Sequence, residues 1–145
     1  MSSLSSSTIT INAPFNAVAL ALGELEKYPE WSSSIKSVEV LSRDDQGRIT
    51  KAKMVIDAGM MKDRVTLDYD WSQAPNKFSF SLDDADLLTG MDGAYSISSI
   101  DADTTQITYE LTVSLSMPIP AMMRQKAEKT TIDQALSQLK AMVEA

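Results

Sequence analysis

The sequence predicts an α+β domain: one seven-stranded antiparallel sheet, two short helices after the first strand, and a long helix at the C-terminus. Period-two alternation in several segments predicts the strands, short polar turns between them predict hairpins, and an unbroken 3.6-residue stripe near the end predicts the helix. The alternation is cleanest at Thr104–Ser116, where Ile107, Tyr109, Leu111, Val113 and Leu115 fall on one face and only polar residues on the other. That pattern belongs to a half-buried antiparallel strand.

In chain order, Met1–Ser7 reads as a polar tail, leaving residues 8–145 as one domain. Thr8–Asn12 alternates Ile9 and Ile11 with threonines as a first strand. Pro14 suits a first helical turn, after which Phe15, Val18, Ala19 and Leu22 recur at helical spacing up to Gly23. A second short turn, Glu24–Tyr28, is expected to stop at Pro29. Strands follow at Ile35–Ser42 and Arg48–Ala58, the latter with Ala52, Met54 and Ile56 on one face. Asp63–Trp71 directs Val65, Leu67, Tyr69 and Trp71 one way, and Asn76–Asp83 does the same with Phe78, Phe80 and Leu82. Thr89–Ile100 carries Met91, Tyr95 and Ile97 on one side. Asp44-Asp45-Gln46-Gly47, Ala58-Gly59, Gln73-Ala74-Pro75-Asn76 and Asp101-Ala102-Asp103 supply the turns. Ala121–Glu144 is the helix, with Ile132, Ala135, Leu136, Leu139, Met142 and Val143 as its apolar stripe. Extended backwards, the stripe meets Lys129, Glu128, Gln125, Met122 and Ala121, so the first half of that face is mixed. Such a half either roofs an opening or projects past the sheet into water.

Composition narrows the chemistry. The 145 residues include no cysteine and no histidine, which removes disulfides, thiol or imidazole catalysis and the usual zinc ligand sets. A net charge of −7 opposes nucleic-acid binding, which needs clustered cations. Nothing approaches the roughly 20 apolar residues of a membrane span, and no basic-then-apolar leader opens the chain, so a cytoplasmic location is the expectation. The glycine pair in Thr89-Gly90-Met91-Asp92-Gly93 lies within a strand and opens no helix. It reads as a bulge or a close backbone approach and not as a phosphate cradle. Neither Asp83-Asp84-Asp86 nor Asp101-Asp103 has calcium-loop spacing, and no metal or cofactor is expected. Nine methionines, among them Met60-Met61 at a hairpin tip and Met122-Met123 opening the long helix, suit either an irregular core or an adaptable apolar pocket. Tyr69, Trp71, Tyr95 and Tyr109 face inward, where each needs a partner for its polar atom.

Several of these segments carry a family likeness. Ile11-Asn12-Ala13-Pro14 leaves the first strand and Tyr28-Pro29-Glu30-Trp31 ends the second short helix. Leu67-Asp68-Tyr69-Asp70-Trp71, Asp92-Gly93-Ala94-Tyr95, Thr104-Thr105-Gln106-Ile107-Thr108-Tyr109 and the Pro118-Ile119-Pro120 turn complete the set. Together they resemble the START-like, or helix-grip, superfamily (SRPBCC), and within it the polyketide cyclase/dehydrase and coenzyme Q-binding type domains, over Thr8 to Val143. The resemblance implies a curved sheet wrapped around the long helix, as in START and Bet v 1-like folds, with a cavity between them. Members bind hydrophobic small molecules there, including lipids, quinones, sterols and polyketides, and some are aromatase/cyclases.

The expected function is therefore binding of a hydrophobic small molecule, with transport or sequestration as its use. The expected lining is Met54, Ile56, Leu67, Tyr69, Trp71, Phe78, Phe80, Met91, Tyr95, Tyr109, Met122 and Gln125. Two alternatives stand beside it. An aromatase/cyclase would need acid and base groups inside the cavity, and the absence of histidine weighs against it. A protein-interaction module would have a solid interior and an exposed apolar patch. Burying about 300 Å² of ligand apolar surface returns roughly 7 kcal/mol. Association costs at least about 4 kcal/mol. A useful ligand must therefore be larger than that or make hydrogen bonds.

Overall fold

The computed structural model describes residues 5–57, 62–117 and 119–145. The expected Ala58-Gly59 turn, the Met60-Met61 tip and Pro118 lie outside the described residues. The elements run β1 (Ser5–Ile11), α1 (Phe15–Gly23), a 3-10 turn (Leu25–Lys27), α2 (Tyr28–Trp31), β2 (Ile35–Arg43), β3 (Ile49–Asp57), β4 (Lys62–Asp70), β5 (Lys77–Ala85), β6 (Leu88–Asp101), β7 (Thr104–Leu115) and α3 (Ala121–Glu144). The strands form one antiparallel sheet in the order β1-β7-β6-β5-β4-β3-β2. Each strand from β2 to β7 pairs with the next in the chain, and β1 lies at the far edge beside β7. This is the α+β helix-grip architecture.

Pairing breaks register at several points, among them Val40/Ser42 in β2, Thr66/Leu67 in β4 and Leu88/Gly90 in β6. Each irregularity adds local twist and helps the sheet curve. Gly93 fulfils the close-approach expectation. A Cβ there would sit 2.2 Å from Cζ of Phe80, so the ring of Phe80 lies directly over the glycine backbone.

Beyond shifts of a residue or two at most strand ends, two boundaries differ from the sequence reading, each for a physical reason. β1 begins at Ser5, inside the stretch read as tail, with Ser5 opposite Leu111. Serines carry no strand signal of their own, and here polar contacts to α3 supply the support. Ser5 Oγ donates to Glu128 Oε1 at 2.7 Å, Ser7 Oγ to Asp133 Oδ1 at 2.5 Å, and Lys129 Nζ to the Ser6 carbonyl at 2.9 Å. Pro29 also begins a helical turn where it was expected to end one. It occupies the first turn of α2, where its missing N–H costs no hydrogen bond.

The long helix α3 packs mainly on β1 and β7. Ile132, Leu136 and Leu139 are fully buried, each contributing about 2 kcal/mol of apolar transfer. The first turn overhangs: Met122 is 81% exposed and Met123 48%. Of the two readings of the mixed half, projection into water holds for this turn. One turn on, Glu128 is fully buried and held on three sides. Arg124 Nη1 lies 2.8 Å from Oε2, the Val113 amide donates to Oε2 at 2.6 Å, and Ser5 supplies the third contact. Val113 lies two residues past Leu111, the last β7 residue with a described β1 partner, and the carboxylate accepts from its amide. Thr105, also buried, donates to the Ala13 carbonyl at 2.8 Å and ties β7 to the entry of α1.

Candidate functional site

Between the concave face of the sheet and α3 lies a hollow. The space open to the centre of a water-sized sphere is about 60 Å³, several times what one water requires. Its walls come from alternate residues of adjacent strands, the arrangement that period-two strands impose: Met54 and Ile56 of β3, Leu67 and Tyr69 of β4, Phe78 and Phe80 of β5, Met91 and Tyr95 of β6, and Tyr109 of β7. The roof is Thr131 and Ala135 of α3, two small side chains one turn apart. Tyr28 and Trp31 of α2, then Ser32, Ser34 and Ile35, close one side.

Nine of the twelve expected residues meet at this hollow. Three do not. Trp71 stands one residue beyond β4, and its indole N–H donates to the Ile49 carbonyl at 2.6 Å. That bond holds the ring at the sheet's end, against an open groove it shares with Asp44, Arg48 and Asp70. Met122 is carried into solvent by the overhanging first turn of α3. Gln125 is half-buried on that same end of the helix and lies outside the hollow. The reason is common to the last two: the helix meets the hollow a full turn or more later than its N-terminus. Sequence reasoning missed Tyr28, Trp31, Ser32, Ser34, Ile35, Thr131 and Ala135. A usable signal existed for one of them, because Ala135 is the small member of an otherwise bulky stripe and so leaves space beneath the helix.

The strand walls form a continuous run of rings. Trp71 and Phe78 have centroids 4.6 Å apart, Phe78 and Tyr95 5.3 Å, and Tyr95 and Tyr109 4.1 Å, with interplanar angles of 24°, 25° and 14°. Tyr69 faces Phe80 at 5.5 Å and 40°. Such ring pairs add roughly 0.5–1.5 kcal/mol each beyond area burial, which stiffens the wall.

Polarity in the hollow is neutral. No Asp, Glu, Lys or Arg is among the described lining residues. Burial holds the hydroxyls of Tyr28, Tyr69, Tyr95 and Tyr109 above the ordinary tyrosine range, and neighbouring tyrosines add to the effect for Tyr28, Tyr69 and Tyr95. All four stay protonated at neutral pH, able to donate hydrogen bonds and poor as bases. The Tyr28 hydroxyl donates to the Leu22 carbonyl at 2.6 Å. Thr131 donates to the Ala127 carbonyl at 2.9 Å, and Ser34 reaches Gln134 at 3.4 Å. The hollow thus offers a large apolar area with a few uncharged hydrogen-bonding points, the usual make-up of a small-molecule site.

Residues 11–140 match the model of the family described as polyketide cyclase/dehydrase and lipid transport. The chain belongs to that family. No curated protein matches it significantly in sequence. Among solved structures, a START superfamily protein from Mycobacterium smegmatis is 23% identical with a TM-score of 0.92, covering 97% of each chain. A Thermus thermophilus protein is 20% identical with a TM-score of 0.83 over 98% of this chain and 97% of that one. The Zhui aromatase/cyclase of Streptomyces sp. R1128 is 15% identical, with a TM-score of 0.77 over 98% and 93%. At these identities the likeness concerns the fold. Among the described residues of this START-like domain, no helix is long and apolar enough to cross a membrane.

Proposed function

We propose that this family member binds an uncharged, hydrophobic small molecule of the lipid, quinone or polyketide kind between the sheet and α3. The observation that carries the reading is a hollow whose described lining holds aromatic, methionine and aliphatic side chains, neutral hydroxyls and no charge. A carboxylate or phosphate placed there would lose its hydration with no cation to replace it. The size of the hollow adds a condition. About 60 Å³ is well short of the 300–1,000 Å³ of common ligand pockets, so binding requires the walls to part.

Catalysis by a cyclase mechanism is the second reading, favoured by the gathering of four tyrosine hydroxyls about one space. It would use as donors to a carbonyl oxygen those hydroxyls not already donating within the protein, as Tyr28 does to the Leu22 carbonyl, since no described lining group is a competent base at neutral pH. A protein-interaction role is less well supported, because the interior is hollow and not solid.

The test is extraction of natively purified protein into organic solvent with mass spectrometry, paired with thermal shifts against a panel of neutral hydrophobic compounds. A stoichiometric apolar molecule is expected in the extract. A ligand at a hundred times its Kd should stabilise the fold by about 2.7 kcal/mol. An empty extract together with no shift from any compound overturns the proposal.

A further inference from the structure

We infer that the ligand site has a second compartment: the surface groove between α1, α2 and the end of α3, divided from the inner hollow by the indole of Trp31. This rests on the binding reading above. Trp31 lines both spaces. The groove measures about 370 Å³, and its apolar surface comes from Ala17, Leu20 and Ala21 of α1 and Met142 and Val143 of α3. Leu20 is 64% exposed and Met142 38%, large apolar side chains left bare on either side of the same groove. Met142 continues the helix face that carries Thr131 and Ala135, about 10 Å further along the axis from Ala135. Glu24, Lys27 and Glu30 also line the groove, with Glu24 and Lys27 paired at 3.1 Å.

The two tryptophans differ in how they are held. Trp71 is tied through its N–H to the Ile49 carbonyl. Among the described residues, Trp31 has a ring contact with Tyr28, centroids 4.9 Å apart and tilted 58°, and its indole N–H donates to no protein group. The backbone beside it is fixed. The Ser33 amide donates to Gln138 Oε1 at 3.0 Å, and Ser33 Oγ accepts from Gln134 at 3.1 Å and Gln138 at 2.8 Å. The indole can therefore turn about its own side-chain bonds while the chain around it stays anchored to α3. Turning it joins the two spaces, so that a molecule too long for the hollow can extend from it into the groove. The occupant fitted by this shape is an uncharged molecule longer than the hollow, with one apolar end inside and the other lying on Leu20 and Met142.

The experiment is stopped-flow and equilibrium fluorescence with N-phenyl-1-naphthylamine, a neutral aromatic probe too large for the closed hollow. Trp31→Ala should raise the association rate at least tenfold. The double variant Leu20→Glu, Met142→Glu changes exposed positions and should weaken binding at least tenfold with an unchanged circular dichroism spectrum. Ala135→Trp, or Thr131→Phe if that protein does not fold, should abolish binding by filling the hollow. Affinity unchanged within twofold in the double variant, with binding lost on filling, overturns the second compartment and leaves the inner site standing. An association rate unchanged by Trp31→Ala overturns the partition. Binding indifferent to filling the hollow overturns the binding reading itself, and this inference with it.

Discussion

The interior buries polar groups in two opposite ways. Around Glu128, polarity is concentrated and internally matched: one fully buried carboxylate meets a guanidinium, a strand amide and a serine hydroxyl. Under the middle of α3, polarity is spread over neutral hydroxyls, and the space they face is not filled. The contrast separates support from site. A charge whose partners are all in place has nothing left to offer a ligand, and it orients the helix. Neutral hydroxyls cost less to bury, and each keeps acceptor lone pairs that one hydrogen bond does not use up.

The largest effect should come from the matched charge. Glu128→Ala orphans the Val113 amide and leaves Arg124, only 19% exposed, without its partner, and should cost about 3 kcal/mol in denaturant unfolding. Replacing both, Arg124→Met with Glu128→Leu, should recover most of that loss. If the double variant is no better than the single, the network is not an electrostatic match and the comparison breaks. A smaller effect is expected in the aromatic wall, and it should divide along the boundary described above. Trp71→Leu removes the bond to the Ile49 carbonyl and should lower the melting temperature while leaving ligand retention intact. Tyr109→Phe should do the reverse, reducing retention while costing about 1 kcal/mol or less. Equal retention in both would show that the wall does not distinguish its ends.

The mildest test is pH. Burial raises the tyrosine pKa values in the folded state above the ordinary 10.0. Below pH 10 both folded and unfolded chains hold these protons, so the tyrosines make stability neither rise nor fall. Above it the unfolded chain releases them first, and stability should fall with rising pH. Alkaline unfolding monitored by tyrosinate absorbance should then show the phenols ionising together with loss of structure. Ionisation well before unfolding would mean that the hydroxyls are already wet.

Much of this was legible in the chain. Alternation located β4 to β7 and their inward rings to within a residue or two, because a strand's two faces are set by local geometry alone. The apolar stripe likewise marked α3 from Ala121 to Glu144. Trp71, Met122 and Gln125, expected to line the hollow, lie outside it, since facing inward does not say how far along the sheet the hollow extends. Met122 illustrates the gap: its helical position was right, and its surroundings depend on where β1 and β7 end beneath the helix.

Periodicity, turn chemistry and the family pattern thus specify the elements, their order and which face each one buries. They do so because neighbouring residues along the chain carry that information. Where the hollow lies, that Trp31 stands at its side, and that the serines at the start of β1 clasp α3 were decided by tertiary packing. The serine clasp joins residues more than 120 positions apart, the hollow gathers side chains from Tyr28 to Ala135, and no local pattern records how far a helix overhangs its sheet.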